Sequence, residues 1–271
     1  MSPRLHAVLD GPVDAPVLVL GSSLGTTSEM WRPQVGPLSE RFRVVRYDHL
    51  GHGGSAGPTG RTTIDILGTE LLRLLDDLAL PRVSYAGLSL GGMVGMWLAA
   101  HAPDRVDRLA LLCTAARLGP ERAWRDRAGT VREGGVEAVA EAVLSRWFTP
   151  DFAAAHPAVV AGYRGMLTST PAAGYAACCE AIAAMDLRAD LPGIVAPTLV
   201  VAGADDPATP VEQAREIARL VPAARLAVVD RAAHLANVER PEPVTRLLLE
   251  HFEPTRVDAA GTGSGQERVD G

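Results

Sequence analysis

Apolar and polar positions along the chain follow two different patterns. Short continuous apolar runs are typical of strands buried on both faces, and they predict strands at residues 5–9, 16–20, 42–48, 82–86, 106–113, 197–202 and 225–229. Longer segments repeat their apolar residues every three or four positions, and they predict helices at residues 62–80, 93–101, 211–220 and 243–252. Strands that alternate with helices in this way indicate an α/β fold, a mostly parallel sheet flanked by helices.

The middle of the chain breaks this alternation. Between about residues 120 and 190 no strand is predicted, and helical periodicity marks residues 121–133, 136–147, 157–167 and 174–185. A helical block inserted into an α/β core predicts a cap over the strand ends, where ligands bind in such folds. We therefore expect one domain over residues 1–253, with its core at about 1–117 and 195–253 and a helical cap at about 118–194. Residues 254–271 are polar and rich in glycine, which predicts a flexible tail or a linker remnant.

The charge, the apolar runs and the cysteines of the chain limit which partners and which cellular location we expect. The formal net charge of −6 argues against nucleic acid or an anionic membrane surface as a partner. The chain has no apolar run long enough to span a bilayer, and its first residues lack the apolar segment of a signal peptide. Its three cysteines, two of them adjacent, have the spacing of neither a disulfide framework nor a zinc site. A reducing, cytoplasmic location is therefore the expectation.

The strand at 82–86 is joined to the helix at 93–101 through the sequence Gly-Leu-Ser-Leu-Gly, residues 87–91. This G-x-S-x-G pattern between a strand and a helix is typical of a nucleophile elbow, with Ser89 at a sharp turn. Such a turn leaves no room for side chains two residues before and after the serine, so glycine fits there. The N-terminus of the following helix would favour negative charge that develops near Ser89. A chance match in a chain with 27 glycines is the alternative interpretation.

A nucleophilic serine needs a base, and the base needs an acid to orient it. His234 lies between the last predicted strand and the closing helix, at the same edge of the sheet as Ser89. Asp206 follows the strand at 197–202 and is the preferred acid, with its neighbour Asp205 as the second choice. The order Ser, Asp, His along the chain suits a serine triad on this kind of sheet. We therefore predict Ser89, Asp206 and His234 as catalytic residues.

Two backbone N–H groups are expected to stabilise the oxyanion of an acyl-transfer reaction. One belongs to Leu90, directly after the nucleophile, and the other to Leu24, in the loop after the strand at 16–20. His49 and His52 stand three apart in a glycine-rich turn without a third ligand, so we expect no metal site there.

With these residues, the chain from about residue 5 to residue 252 resembles the α/β-hydrolase superfamily, and within it most closely the 3-oxoadipate enol-lactonases. The closer likeness rests on segments outside the triad, several of them in the predicted cap. These segments are Ser23-Leu24-Gly25-Thr26, Met30-Trp31 with Gln34, 113–119, Trp124 with Arg127-Ala128, Arg146-Trp147-Phe148-Thr149, Gly174-Tyr175-Ala176, Cys179-Glu180-Ala181-Ile182, Asp186-Leu187-Arg188 and Ala208-Thr209-Pro210. One departure is Ser22-Ser23, where many superfamily members have His-Gly before the first oxyanion donor.

The resemblance implies the α/β-hydrolase fold and hydrolysis of an enol-lactone through a serine acyl-enzyme, in aromatic catabolism, with no metal or organic cofactor. It also implies a small lactone substrate that bears a carboxylate, so the cap should supply a cation. Arg127, near Trp124, is the preferred cation and Arg146 the alternative, and a solvated helix face is the competing interpretation for both. Trp124 and Trp147 could line an apolar pocket, although packing within the cap would also explain them. In some relatives the lactonase is fused to a carboxymuconolactone decarboxylase, and residues 257–271 are too few for that domain.

Other functions are compatible with the same residues. A broad carboxylesterase or a C–C bond hydrolase would use the same triad, and a receptor-like hydrolase fold would bind a ligand and turn it over slowly. Haloalkane dehalogenases and epoxide hydrolases have an aspartate nucleophile, and the serine at position 89 disfavours them.

Overall fold

The computed structural model describes residues 5–222 and 224–253, and within them seven strands form a single sheet. The strands are β1 (Ala7–Asp10), β2 (Val17–Gly21), β3 (Arg43–Tyr47), β4 (Val83–Leu88), β5 (Val106–Leu112), β6 (Thr198–Gly203) and β7 (Ala224–Val229). Their order across the sheet is β1-β3-β2-β4-β5-β6-β7. Neighbouring strands are parallel except β1 and β3, which are antiparallel. The mostly parallel sheet predicted from the sequence is therefore confirmed.

Helices follow all of these strands except β1 along the chain. They are α1 (Arg32–Ser39), α2 (Ile64–Asp77), α3 (Leu90–His101), α4 (Glu121–Gly134), α5 (Ala140–Trp147), α6 (Pro150–Ala155), α7 (Pro157–Thr168), α8 (Ala172–Ala184), α9 (Val211–Leu220), α10 (Ala236–Glu239) and α11 (Pro241–Phe252). Helices α4 to α8 lie between β5 and β6, in the interval where the sequence pattern predicts a cap. Of the helices within residues 5–222 and 224–253, none is long and apolar enough to cross a bilayer. The predicted tail at residues 254–271 lies outside the described residues.

The central strand β4 leads directly to Ser89, the predicted nucleophile. All six of its residues are buried, as expected for a parallel strand with β2 and β5 on either side and layers packed on both faces. Strand β6 is also buried along its whole length, between β5 and β7. Because β4, β6 and β7 run parallel, their carboxyl ends open on one edge of the sheet. The loops that follow these three strands therefore meet at that edge.

The hydrophobic pattern fails to predict three of the helices, α1, α6 and α10. Helix α1 contains Pro37 in its interior, where a proline argues against a helix, whereas Pro33 in the first turn is tolerated. Helices α6 and α10 have six and four residues, too few to show a period. Conversely, the helix predicted at 62–80 spans only Ile64–Asp77, and the Thr63 hydroxyl caps its first turn.

Candidate active site

Ser89 lies at the turn between β4 and α3. Its backbone angles are φ 56° and ψ −114°, a left-handed conformation that is strained for a residue with a side chain. The neighbouring strand β5 holds this conformation, because the Ser89 N–H donates to the Leu112 carbonyl at 2.9 Å. The Thr114 hydroxyl donates to the Ser89 carbonyl at 2.7 Å. Hydrogen bonds to both backbone groups of the serine therefore stabilise the strained turn.

Close backbone contacts require the glycines at both ends of the G-x-S-x-G pattern. A Cβ atom on Gly87 would lie 2.2 Å from the Gly91 carbonyl oxygen, and one on Gly91 would lie 2.2 Å from that of Gly21. Both distances are far inside van der Waals contact, so a side chain at either position would displace the backbone. The Tyr85 hydroxyl also donates to the Gly91 carbonyl at 2.8 Å. The pattern therefore reflects the geometry of the turn rather than the abundance of glycine in the chain.

His234 and Asp206 come together from the loops that follow β7 and β6. The His234 Nδ1 atom lies 2.9 Å from Asp206 Oδ2. Both residues are buried, each with 4% of its surface exposed. Asp205, the second carboxylate considered from the sequence, is exposed to solvent. Of the two acids, the structure places Asp206 where it orients the imidazole.

The Asp206 carboxylate accepts further hydrogen bonds from the residues that follow it. Its Oδ1 atom accepts from the Ala208 N–H at 2.7 Å and from the Thr209 N–H at 3.0 Å, and its Oδ2 atom accepts from the Thr209 hydroxyl at 2.6 Å. Burial acts to raise the pKa of this carboxyl, but the charge of His234 and the hydrogen bonds from His234 and Thr209 outweigh it and lower the pKa below 3.8. A carboxylate beside Nδ1 favours the tautomer of the neutral imidazole that carries its proton on Nδ1 and its lone pair on Nε2.

The two predicted oxyanion donors lie beside the serine. Leu24 lines the same cavity as Ser89, and Leu90 is the first residue of α3. The Gly91 N–H donates to the Ser22 carbonyl at 2.9 Å. This hydrogen bond holds the loop after β2 against the start of α3.

His49 and His52 support the loop after β2. His49 Nε2 donates to the Ser22 carbonyl at 2.9 Å, and His52 Nε2 accepts from the Gly25 N–H at 3.0 Å. Burial lowers the pKa of His49 to about 3 and also lowers that of His52, so both rings are neutral at neutral pH. Within residues 5–222 and 224–253, no group of three or more His, Cys, Asp or Glu side chains is arranged to hold a metal ion. The sequence indicates a turn at these histidines but not their contacts with the distant loop.

A cavity lies over Ser89 and His234, between the sheet edge and the helices that follow β5. Trp124, Arg127 and Trp147, the cap residues singled out from the sequence, all line it. The other lining residues are Ser23, Leu24, Leu118, Val143, Arg146, Tyr175, Ala208 and Thr209. Among the cap segments that carry the resemblance to the lactonases, those with Trp124 and Arg127, with Arg146 and Trp147, and with Tyr175 therefore contribute to the wall of this cavity.

Arg127 is a half-buried cation of this cavity, whereas Arg146 is exposed. The Arg127 guanidinium lies 4.5 Å from the centre of the Trp124 ring, a cation–π contact. Burial raises the pKa of the Tyr175 hydroxyl, and the nearby Arg127 guanidinium opposes that rise. In the part of the chain that the structure describes, no carboxylate lies within ion-pair distance of Arg127. Its positive charge is therefore available to a ligand.

Known proteins resemble this chain over most of its length. A family model for the alpha/beta hydrolase fold matches residues 16–241. The 3-oxoadipate enol-lactonase 2 of Acinetobacter baylyi is 40% identical over 232 residues, which cover 86% of this chain and 86% of that protein. The 3-oxoadipate enol-lactonase 1 of the same organism is 35% identical, and the match covers 88% of this chain and 89% of the relative.

A solved structure extends the likeness to the fold. The crystal structure of the enol-lactonase from Burkholderia xenovorans has a TM-score of 0.90 and 44% sequence identity, and the match covers 92% of this chain and 96% of that one. The resemblance inferred from the sequence is confirmed by these findings. The chain belongs to the α/β-hydrolase family and is a hydrolase.

Proposed function

We propose that this protein hydrolyses 3-oxoadipate enol-lactone to 3-oxoadipate through an acyl-enzyme on Ser89. One observation carries the proposal: Ser89, His234 and Arg127 line a single cavity, and the Asp206 carboxylate contacts Nδ1 of the His234 ring. A nucleophile, a base and a cation together suit a substrate with a reactive acyl carbon and a carboxylate. The names of the relatives, two 3-oxoadipate enol-lactonases and one enol-lactonase, support the same substrate.

The first step acylates the serine. His234 Nε2 takes the proton of the Ser89 hydroxyl as Ser89 Oγ attacks the lactone carbonyl carbon. The N–H groups of Leu24 and Leu90 stabilise the oxygen that becomes negative, and Asp206 stabilises the imidazolium. The bond between the acyl carbon and the ring oxygen then breaks. His234 returns the proton to the departing enol oxygen.

The second step releases the product. The enol stays on the acyl chain after the ring opens, because the ring oxygen and the acyl carbon belong to one molecule, and it becomes a ketone. His234 then takes a proton from a water molecule whose oxygen attacks the acyl carbon, and the Ser89 oxygen leaves with a proton from His234. The product is a dicarboxylate with a ketone. Each step of this mechanism uses side chains and backbone N–H groups of the protein together with water.

We assign the substrate carboxylate to Arg127 rather than to Arg146. The charge of Arg127 is half-buried, and a hydrogen bond to a charged group is worth about 1.5–3 kcal/mol when water is partly excluded. Trp124 and Trp147 provide apolar walls beside it. Within the same proposal, the reaction belongs to aromatic catabolism and takes place in the cytoplasm.

Hydrolysis of the lactone in water enriched in heavy oxygen tests the proposal. We expect 3-oxoadipate as the product by NMR, with one heavy oxygen in a carboxylate, because the water attacks the acyl carbon. The ketone oxygen exchanges with solvent and is left out of the measurement. Product carboxylates without heavy oxygen would contradict attack at the acyl carbon.

A parallel assay with p-nitrophenyl acetate separates the alternative functions. Rapid hydrolysis of this ester with the lactone left intact would favour a broad carboxylesterase. Turnover of neither compound would favour a receptor-like protein or a C–C bond hydrolase. The proposed function predicts that the lactone is the better substrate.

A further inference from the structure

Glu239 is a buried carboxylate that the proposed reaction does not use. It is the last residue of α10, the short helix that follows His234, and 3% of its surface is exposed. Its Oε2 atom accepts a hydrogen bond from the Ala233 N–H at 2.9 Å. Its Oε1 atom accepts from the Thr149 N–H at 3.3 Å and from the Thr149 hydroxyl. Within residues 5–222 and 224–253, no arginine or histidine forms an ion pair with it.

The partners of Glu239 belong to two different parts of the chain. Ala233 directly precedes His234, whereas Thr149 lies between α5 and α6, among the helices over the cavity. The Thr149 hydroxyl also accepts from the Phe152 N–H at 3.3 Å and so caps α6. One buried carboxylate therefore connects the backbone beside the base to the backbone of the cap.

Two further hydrogen bonds join the same parts of the chain. The Leu235 N–H donates to the Trp147 carbonyl at 3.0 Å, and the His234 N–H donates to the Arg146 carbonyl at 3.4 Å. We call residues 146–149 the cap segment and residues 233–235 the histidine loop. Arg146 and Trp147 of the cap segment line the cavity, as does His234 of the histidine loop. Hydrogen bonds thus join the backbone of the cavity wall directly to the backbone of the histidine loop.

A carboxylate is the side chain that these donors require. It presents two oxygens and no hydrogen, so it can accept from Ala233 and from Thr149 at once. Glutamine has the same shape but only one oxygen, and its amide group would face one of the two N–H donors. Burial of a carboxylate without a cation is costly unless several donors compensate it. The donors of the two segments provide that compensation only while both segments keep their positions.

We propose that Glu239 is a positioning residue that fixes the histidine loop and the cap segment as one unit. The base then keeps its place relative to Ser89, and Trp147 keeps its place in the cavity wall. The inference rests on the roles of Ser89 and His234 in the proposed function. A displacement of about 1 Å in such a site can cost roughly 100-fold in rate, so a fixed loop matters for catalysis.

Hydrogen exchange measured by mass spectrometry tests the connection between the two segments. Thr149→Ala removes a donor in the cap segment, and we expect it to speed exchange of the amides in the histidine loop by about tenfold. Glu239→Gln should speed exchange in both segments. Thr149→Ser, which keeps the hydroxyl, and Glu242→Gln, at an exposed carboxylate in α11, should match the wild type.

Kinetics with p-nitrophenyl acetate provide the second readout. Active sites are first counted with a phosphonate that reacts with the serine, so that kcat refers to competent enzyme alone. We expect kcat per titrated site to fall about tenfold in Glu239→Gln and in Thr149→Ala. A merely structural role would reduce the number of titrated sites and the melting temperature and leave kcat per site unchanged.

The proposal is overturned if Thr149→Ala speeds exchange only in the cap segment and leaves the histidine loop as in the wild type. Unchanged kcat per site in both variants would also overturn it. Neither readout needs the lactone. A protein that leaves the lactone intact would therefore contradict the proposed function, while the exchange experiment would still decide the role of Glu239.

Discussion

The sheet edge, with the proposed triad, and the helices over it present different kinds of surface to the cavity. At the sheet edge, directional hydrogen bonds fix the polar groups. The Asp206 carboxylate, for example, accepts hydrogen bonds from both His234 and Thr209. The cap contributes mainly apolar walls, such as Trp124 and Trp147, and one half-buried cation. From this difference we infer that the chemical step and the choice of substrate depend on different residues. Changes at the sheet edge should impair every substrate, and changes at the cavity-lining cap residues Trp124 and Arg127, which lie outside the cap segment that is hydrogen-bonded to the histidine loop, should impair the lactone selectively.

Replacement of the nucleophile should have the largest effect and should not distinguish substrates. We expect Ser89→Ala to lower kcat by at least about 10⁴-fold for both the lactone and p-nitrophenyl acetate, because the acyl-enzyme can no longer form. Thermal unfolding should change little, since the hydroxyl is not part of the packed core. Near-normal turnover of either substrate by this variant would contradict the role of Ser89.

The acid of the triad should show the next largest effect, and its neighbour offers a matched control. Asp206→Asn should lower kcat for both substrates by roughly 10³–10⁴-fold, because an amide does not hold His234 in the required tautomer. Asp205→Asn changes an exposed carboxylate one position earlier and should leave both rates unchanged. Steady-state kinetics of the two variants check this prediction. Equal losses in the two variants would show that Asp206 has no special role.

The cap cation should affect only the substrate that carries a carboxylate. Arg127→Gln should lower kcat/KM for the lactone by roughly 10–100-fold, the value of one hydrogen bond to a charged group, and should change the rate with p-nitrophenyl acetate little. Arg125→Gln on the same helix is the control, because Arg125 is exposed and pairs with Glu121. Equal losses of kcat/KM for both substrates in Arg127→Gln would contradict the separate roles of the sheet edge and the cap.

Stability in acid should depend on a core histidine that is remote from the cavity. Burial lowers the pKa of His251 from 6.5 to about 4, and its Nε2 donates to the Leu109 carbonyl at 2.9 Å. At a pH between these two pKa values, His251 binds a proton in the unfolded chain but not in the folded protein. The free energy of unfolding therefore falls as the pH falls. This residue should contribute up to about 1.4 kcal/mol per pH unit to that slope.

The variant His251→Gln isolates this contribution. Its side-chain amide can still donate to the Leu109 carbonyl but does not titrate, so its free energy of unfolding should depend less steeply on pH. Urea denaturation between about pH 6.5 and about pH 4 measures both slopes. Identical slopes in the wild type and the variant would contradict the prediction. Rates at neutral pH should stay the same, which keeps stability apart from chemistry.

The sequence was informative where a residue type is required by local geometry. The glycines at positions 87 and 91 are needed because the turn leaves no space for a Cβ, so the pattern around Ser89 could be recognised. The alternation of strands and helices predicted the sheet, because each buried parallel strand is a continuous apolar run. Ser89, His234 and Asp206 were singled out because each follows a strand at the same edge.

The sequence was less informative where a residue acts through tertiary contacts. Nothing in the spacing of Glu239 and Thr149 along the chain indicates that they meet, and His52 reaches its partner loop only in the folded protein. The sequence preferred Arg127 to Arg146 as the cation but gave no measure of burial, and the structure adds that Arg127 is half-buried and Arg146 is exposed. Helix α1 was not predicted because Pro37 in its interior opposes a helix, which packing against α11 nevertheless stabilises.

The most direct test of the central claim is the ratio of kcat/KM for 3-oxoadipate enol-lactone to kcat/KM for p-nitrophenyl acetate in the wild-type protein. If Ser89 acts on a lactone whose carboxylate is held by Arg127, the ratio should exceed about 100, and Arg127→Gln should lower it roughly 10–100-fold. A ratio near one or below, unchanged in that variant, would contradict the account.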